Sequence, residues 1–165
     1  MKRIVLAGGC FWGVQGYYKK LKGVINTNVG YTNGNIKNPS YQDLKNGKAT
    51  HAEAIEIFYD EEVISLEKIL EHLFRIIDPT SLNKQGADFG IQYRTGIYYR
   101  DNSDKFIIDK FIEKMNVLFK NRVVVEVREE KGFYLAEEYH QDYLDINPNG
   151  YCHIDFSLIK DEEKK

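Results

Sequence analysis

Two cysteines, Cys10 and Cys152, are the only thiols in the chain. Cys10 sits in "GGCFWG", between glycines and the single tryptophan, ahead of a segment with helical periodicity. A thiol in the first turn of a helix faces unpaired backbone N–H groups and the positive end of the helix dipole. Cys10 is therefore expected to titrate below an ordinary thiol and to act as a nucleophile. The preceding glycines allow a sharp turn and leave the sulfur approachable. Phe11 is in phase with Val14 and Tyr18 and suits the core, whereas Trp12 is out of phase and suits the wall of a pocket for a small apolar group. The plainer reading is a pair of inert thiols in a reducing compartment.

A second chemical signal is "HAEAIEIFY". In a strand Glu53 shares a face with Ile55, Ile57 and Tyr59, so its carboxyl ends an apolar row. A desolvated carboxyl stays protonated near neutral pH, the state that a general acid needs, unless the strand end lets it reach water. Tyr31 and Tyr93 fall at strand ends, where their hydroxyls could donate to an oxygen held in a pocket. Asp88 could orient that group or merely cap a turn. His51 is given no role.

These residues need elements to hold them. Arg3 to Ala7 reads as a strand, and Phe11 to Leu21 as a helix with one apolar stripe, closed near Gly23. Val24 to Tyr31 alternates as a strand with Ile25, Thr27, Val29 and Tyr31 on one face. A long loop follows to Thr50, then a strand over Ala52 to Tyr59 and a helix capped by Ser65 and stopped by Asp78-Pro79. "TSLNKQGADFG" leads into a strand over Ile91 to Tyr99, which puts Ile91, Tyr93 and Ile97 on one face. A helix opening at Ser103 reaches about Phe119, and Val123 to Val127 is a further strand. A short helix near Glu137 to Leu144 precedes an irregular segment around Cys152, expected to be mobile enough to swing toward Cys10. Strand, helix, strand, strand, helix, strand is the split βαβ order. The fold class is α+β: a two-layer sandwich with a ferredoxin-like core, a mixed sheet with helices on one side, and an irregular C-terminal segment. Residues 1–159 form one domain, and 160–165 a charged tail, solvated and frayed.

Composition excludes several classes. Lysine and arginine number 23 against 25 acids, for a formal charge of −2, so no basic field is present to gather nucleic acid. The apolar start is too short for a signal-peptide core, and no stretch approaches a membrane span. The expectation is a soluble cytoplasmic protein. Two distant cysteines and scattered histidines make no metal-ligand set, and no cofactor is implied.

"GGCFWG", "VGYTNG", "HAEA", "DPTSLNKQGADFGIQY" with Arg94 after it, and "EEYHQDYLDINPNGYCHI" occur in this order. Together they resemble the A-type peptide methionine sulfoxide reductases, from about Lys2 to Ile159. The resemblance implies reduction of the S epimer of methionine sulfoxide, free or in proteins, to methionine. It makes Cys10 the nucleophile, Phe11 and Trp12 the pocket for the substrate methyl, and Glu53 the proton donor. Tyr31 and Tyr93 would hold the sulfoxide oxygen, Asp88 would help order the site, and Cys152 would be the resolving cysteine. Cys10 would pass through a sulfenic acid to a disulfide with Cys152, reduced in turn by thioredoxin. Two departures stand out. "KNGKATH" replaces a stretch where the family more often has a cysteine and then Gly-His, and no cysteine follows Cys152, so a second disulfide relay is not available.

Two other classes are compatible with a reactive thiol. A cysteine-dependent hydrolase or acyltransferase would need one of His51, His72, His140 or His153 as base to Cys10. A non-enzymatic module binding methionine-containing peptides would tolerate loss of the thiol.

Overall fold

The structure is a computed structural model describing residues 1–165. Along the chain run β1 (Lys2–Gly8), α1 (Phe11–Tyr18), β2 (Val24–Thr32), α2 (Tyr41–Lys45), β3 (Ala52–Tyr59) and α3 (Leu66–Ile76). There follow β4 (Lys84–Gln85), β5 (Asp88–Phe89), a 3-10 turn (Ile91–Tyr93), β6 (Thr95–Tyr99), α4 (Asn102–Leu118), β7 (Glu126–Glu129) and β8 (Phe133–Leu135). A 3-10 turn (Glu138–His140) and α5 (Tyr143–Ile146) follow, ahead of the irregular segment that carries Cys152.

The sheet order is β7-β6-β1-β3-β2-β8. All neighbouring pairs are antiparallel except β6 with β7, which is parallel, so the sheet is mixed as expected. The inner four strands, β6-β1-β3-β2, follow from the split βαβ order. Alternation places Ile4 and Leu6 of β1 in one core with Ile55, Ile57 and Val29, together with Phe11 and Val14 of α1, Ile69, Leu70 and Leu73 of α3, and Ile108 and Phe111 of α4. Val5, Ala7, Ala52, Ala54 and Tyr98 point to the other face, where Phe133 packs against them. Each fully buried aliphatic side chain in the larger core contributes about 1.5–3 kcal/mol.

Several expectations are corrected. Ile25 lies off the Val29–Tyr31 face and is exposed, because the β2–β3 register slips between Val24 and Asn26 and the extra residue reverses the alternation. Residues 91–99 are not one strand. Ile91 to Tyr93 wind into a 3-10 turn after Gly90, whose φ is +128°, and Ile91 is left exposed. The helix α4 is capped by Asp101, whose carboxylate accepts from the Asp104 N–H at 2.8 Å, rather than opened by Ser103. β7 begins three residues later than read, and β8 was not foreseen.

The helix α1 does not have a single apolar stripe. Phe11, Gly13, Val14, Gln15, Tyr17 and Tyr18 are all buried, because the sheet covers one side and the C-terminal segment the other. Nor is the end of the chain frayed. Glu163 takes a two-pronged bond from Arg75 at 2.7 and 2.9 Å, the Lys22 N–H donates to the Glu163 carbonyl at 2.8 Å, and Lys164 bridges to Leu21.

Candidate active site

Gly9 and Cys10 join β1 to α1. Gly9 has φ +88°, a conformation that side chains disfavour, and Cys10 occupies the cap position before the first helical turn. The thiol is 7% exposed. Burial pushes it above an ordinary thiol, the Glu53 carboxylate pushes it the same way, and the Trp12 amide opposes them only in part. In the resting protein burial therefore works against the acidification expected from the helix start. A helix terminus contributes about 0.3–1 kcal/mol at an exposed position, less than the cost of desolvating a charge.

Glu53 is where alternation puts it, on the helix-facing side of β3 and 1% exposed. It does not reach water. Its Oε1 accepts from the Phe11 N–H at 3.3 Å, and its Oε2 from Gln92 Nε2 at 2.7 Å. Burial raises this carboxyl to about 7, the two hydrogen bonds working against the rise. Because Phe11 follows Cys10 directly, the acid is held one peptide unit from the thiol.

Tyr31 stands opposite Glu53 in the β2–β3 register and is fully buried. Its hydroxyl donates to Glu137 Oε1 at 2.8 Å, and Glu137 Oε2 accepts from the Tyr41 N–H at 2.9 Å. Tyr93 comes from the 3-10 turn rather than from a strand, and its hydroxyl accepts from Lys45 Nζ at 3.2 Å. Burial raises both phenols, so each remains an O–H donor. Arg94 fastens this turn by donating to the carbonyls of Asn33, Thr50 and Ile91.

Aromatic rings line the start of α1. Phe11 lies 5.7 Å from the Tyr31 ring and 5.1 Å from His140. Trp12 is stacked on Tyr143 at 3.7 Å and 9°, and its Nε1 donates to His140 Nδ1 at 3.0 Å. The segment carrying these partners is pinned to β2, where Gln141 accepts from the Val29 N–H and donates to the Val29 carbonyl. Asp88, in the β4–β5 hairpin, accepts from the Tyr151 hydroxyl at 3.0 Å.

Cys152 is already packed against α1 rather than held away on a free arm. A Cβ at Gly13 would come within 2.9 Å of its Sγ, and Ile154 closes over the same glycine. Both cysteines are free.

Gln92 and Glu137 were not foreseen as members of the site, and His140 only as one of four candidate bases. Their only signal was placement in polar blocks beside the tyrosines. None of the four histidines hydrogen-bonds to Cys10. His140 Nδ1 is taken by Trp12, His72 bonds to Tyr17, His51 packs against Gly34, and His153 has no side-chain partner and meets the Gly8 backbone. A hydrolase would need that pairing, and its base is missing. What the arrangement can do is bring an S=O group to a thiol, with an acid and two phenols to polarise the oxygen and aromatic rings to hold an apolar substituent.

The family model for peptide methionine sulfoxide reductase matches residues 2–165. A peptide methionine sulfoxide reductase MsrA of Ureaplasma parvum is 52% identical over 162 residues, covering 98% of each chain. The crystal structure of reduced Mxr1 from Saccharomyces cerevisiae superposes with a TM-score of 0.87 at 38% identity, covering 92% of this chain and 88% of that one. Mxr1 in complex with Trx2 is also similar, with a TM-score of 0.62 at 29% identity, covering 86% and 84%. The chain belongs to the peptide methionine sulfoxide reductase family, a family of thiol-dependent oxidoreductases. No helix in it is long and apolar enough to cross a membrane.

Proposed function

We infer that the protein reduces the S epimer of methionine sulfoxide, free or in proteins, with Cys10 as nucleophile and Glu53 as acid. The observation that carries this reading is the buried Glu53 carboxyl, raised to about 7 by its burial and hydrogen-bonded to the residue next to Cys10. Sulfoxide sulfur is a poor electrophile until its oxygen is protonated or hydrogen-bonded. A protonated Glu53 supplies that proton and removes the negative charge that opposes a thiolate at Cys10. Tyr93 donates to the same oxygen, Tyr31 does so once its hydroxyl turns from Glu137, Phe11 and Trp12 receive the methyl group, and Asp88 orders the loop beside them.

The thiol of Cys10 and the sulfoxide exchange one oxygen, giving Cys10 sulfenic acid and methionine. Cys152 then condenses with the sulfenic acid, forming a disulfide and releasing water. A dithiol must restore the pair, and the likeness to Mxr1 bound to Trx2 supports thioredoxin in that role. Two free thiols and a thioredoxin-linked cycle suit the cytoplasm.

The test is consumption of the separated R and S diastereomers of a blocked methionine sulfoxide by purified protein with dithiothreitol. The S form should disappear and the R form persist, and Cys10→Ser should be inert. Failure to reduce either diastereomer would overturn the reading.

A further inference from the structure

His153 follows Cys152 directly, and its imidazole is turned inward. The side chain is 10% exposed, no side chain hydrogen-bonds to either ring nitrogen, and the polar group the ring meets is the Gly8 backbone. A buried imidazole with no side-chain partner keeps a ring nitrogen open to take up or give a proton. The ring lies on the backbone of Gly9, the residue before Cys10, and a Cβ there would come within 3.2 Å of His153 Cε1. Burial holds the ring neutral at rest, and on its other side Asp88 Oδ2, 4.0 Å from His153 Nδ1, is too far for a hydrogen bond but close enough to offset part of that cost when the ring is positive. Tyr151, Cys152 and His153 therefore pack in succession on elements around the nucleophile: Tyr151 on Asp88 of the β4–β5 hairpin, Cys152 over Gly13 of α1, and His153 on Gly9.

The resolving step has a proton problem. Cys152 must lose its proton to attack, while the hydroxyl on the Cys10 sulfenic acid must gain one to leave as water. Burial works against the Cys152 thiolate, and no cationic side chain hydrogen-bonds to its sulfur; the contacts are the Ile154 amide at 3.4 Å and the Ile154 carbonyl at 3.5 Å.

We propose that His153 is the proton carrier of the resolving step, taking the proton from the Cys152 thiol and delivering it to the hydroxyl that leaves Cys10, with Asp88 balancing the transient imidazolium. The bond formed is Cys10 Sγ to Cys152 Sγ, and the bond broken is S–O of the sulfenic acid. The Cys10 sulfur is reduced by one unit, the Cys152 sulfur oxidised by one, and the oxygen departs as water with the proton that Cys152 gave up. The inference rests on the roles assigned to Cys10 and Cys152 above.

The experiment mixes reduced wild-type, His153→Ala and His153→Gln proteins with one equivalent of a blocked methionine S-sulfoxide, without reductant. Quenched samples are assayed for methionine, for dimedone-trapped Cys10 sulfenic acid, and for the Cys10–Cys152 disulfide by mass spectrometry. Methionine release should stay within about two-fold of wild type in both variants. Disulfide formation should slow by at least about ten-fold, with trappable sulfenic acid persisting, and free imidazole should restore the rate in His153→Ala. Disulfide formation at the wild-type rate in both variants would overturn the proposal. So would slowing that imidazole does not relieve, since that is the mark of a packing role. Wild-type protein that releases methionine without ever forming the Cys10–Cys152 link would instead overturn the resolving role of Cys152, and the proposal with it.

Discussion

The indole N–H of Trp12 donates to Nδ1 of His140 at 3.0 Å, and that bond fixes the plane of one ring and the tautomer of the other. His140 must be neutral, with its proton on Nε2. Burial lowers its basicity and keeps it in that form. Tyr143, stacked on the far face of the indole, completes a clamp that holds a half-buried tryptophan against solvent. Replacing His140 by phenylalanine keeps the ring and removes the acceptor. His140→Phe should raise KM for the sulfoxide several-fold with a smaller fall in kcat, because the wall of the pocket is loosened and the acid is not. Trp12 is the only tryptophan, so its fluorescence reports the change directly. Unchanged emission and unchanged KM would show that the clamp does not shape the pocket.

Glu53 gives two effects of opposite sign. Its proton is needed for reduction, so the wild-type rate should fall as pH rises through about 7, and Glu53→Gln should lose at least about a hundred-fold in rate. For stability, the folded carboxyl sits above its unfolded value, so its contribution is fully present below the unfolded value and is lost as pH rises through about 7. Each unit of difference corresponds to about 1.4 kcal/mol. The amide carries no such penalty, and Gln92 can turn its own amide to match. At pH 8 Glu53→Gln should therefore melt a few degrees higher than wild type while being nearly inactive. A variant both inactive and less stable at pH 8 would mean that the carboxylate is well accommodated in its charged form.

Cys10 gives a third expectation, and here burial rather than the helix end decides. The thiol is pushed up first by desolvation and next by Glu53. Iodoacetamide should therefore alkylate Cys10 more slowly than a free cysteine at pH 7.5. Glu53→Gln removes the neighbouring charge and should speed alkylation at that pH. Fast alkylation of the wild type, unaffected by this substitution, would restore the simpler view of a thiolate stabilised by the helix start.

That correction indicates which parts of the molecule were legible in the sequence. Strand β3 and helix α3 could be read because Ala52–Tyr59 alternates cleanly and Leu66, Ile69, Leu70 and Leu73 keep helical spacing. Ile25 could not, since a bulge follows from how two strands meet and leaves no mark on one of them alone. Ile91, Tyr93 and Ile97 imitate a strand. Arg94 bonding to the carbonyls of Asn33 and Thr50, far off in sequence, helps wind their first half into a turn instead. The site divides the same way. Cys10 and Glu53 announce themselves through their immediate neighbours, whereas Gln92, Glu137 and His140 act through partners 39 to 128 positions away. Burial, too, belongs to the assembled fold, which is why its upward push on Cys10 is not legible from the helix alone.

The last prediction concerns the docked C-terminus. Arg75 holds the Glu163 carboxylate well below the usual range, and Glu163 in turn faces His72 Nε2 at 3.6 Å, whose Nδ1 lies 2.7 Å from the Tyr17 hydroxyl. Burial lowers His72 to about 4, so it is neutral in the folded protein at pH 7. The two groups lose stability over different windows of acidification. Between about 6.5 and 4 the unfolded chain binds a proton at His72 that the folded one refuses, and stability falls. Below the ordinary carboxylate value the unfolded chain protonates Glu163 while the folded chain still resists, and stability falls further. Glu163→Gln removes a two-pronged, partly shielded ion pair worth roughly 1–2 kcal/mol. In a chain of this size that should lower the melting temperature at pH 7 by on the order of 5 °C. The gap from wild type should close as pH drops toward the range in which wild-type Glu163 is itself protonated. Scanning calorimetry of both proteins from pH 7 to pH 3 checks it, and a gap that stays constant to pH 3, or is absent at pH 7, would show that this ion pair does not hold the end of the chain.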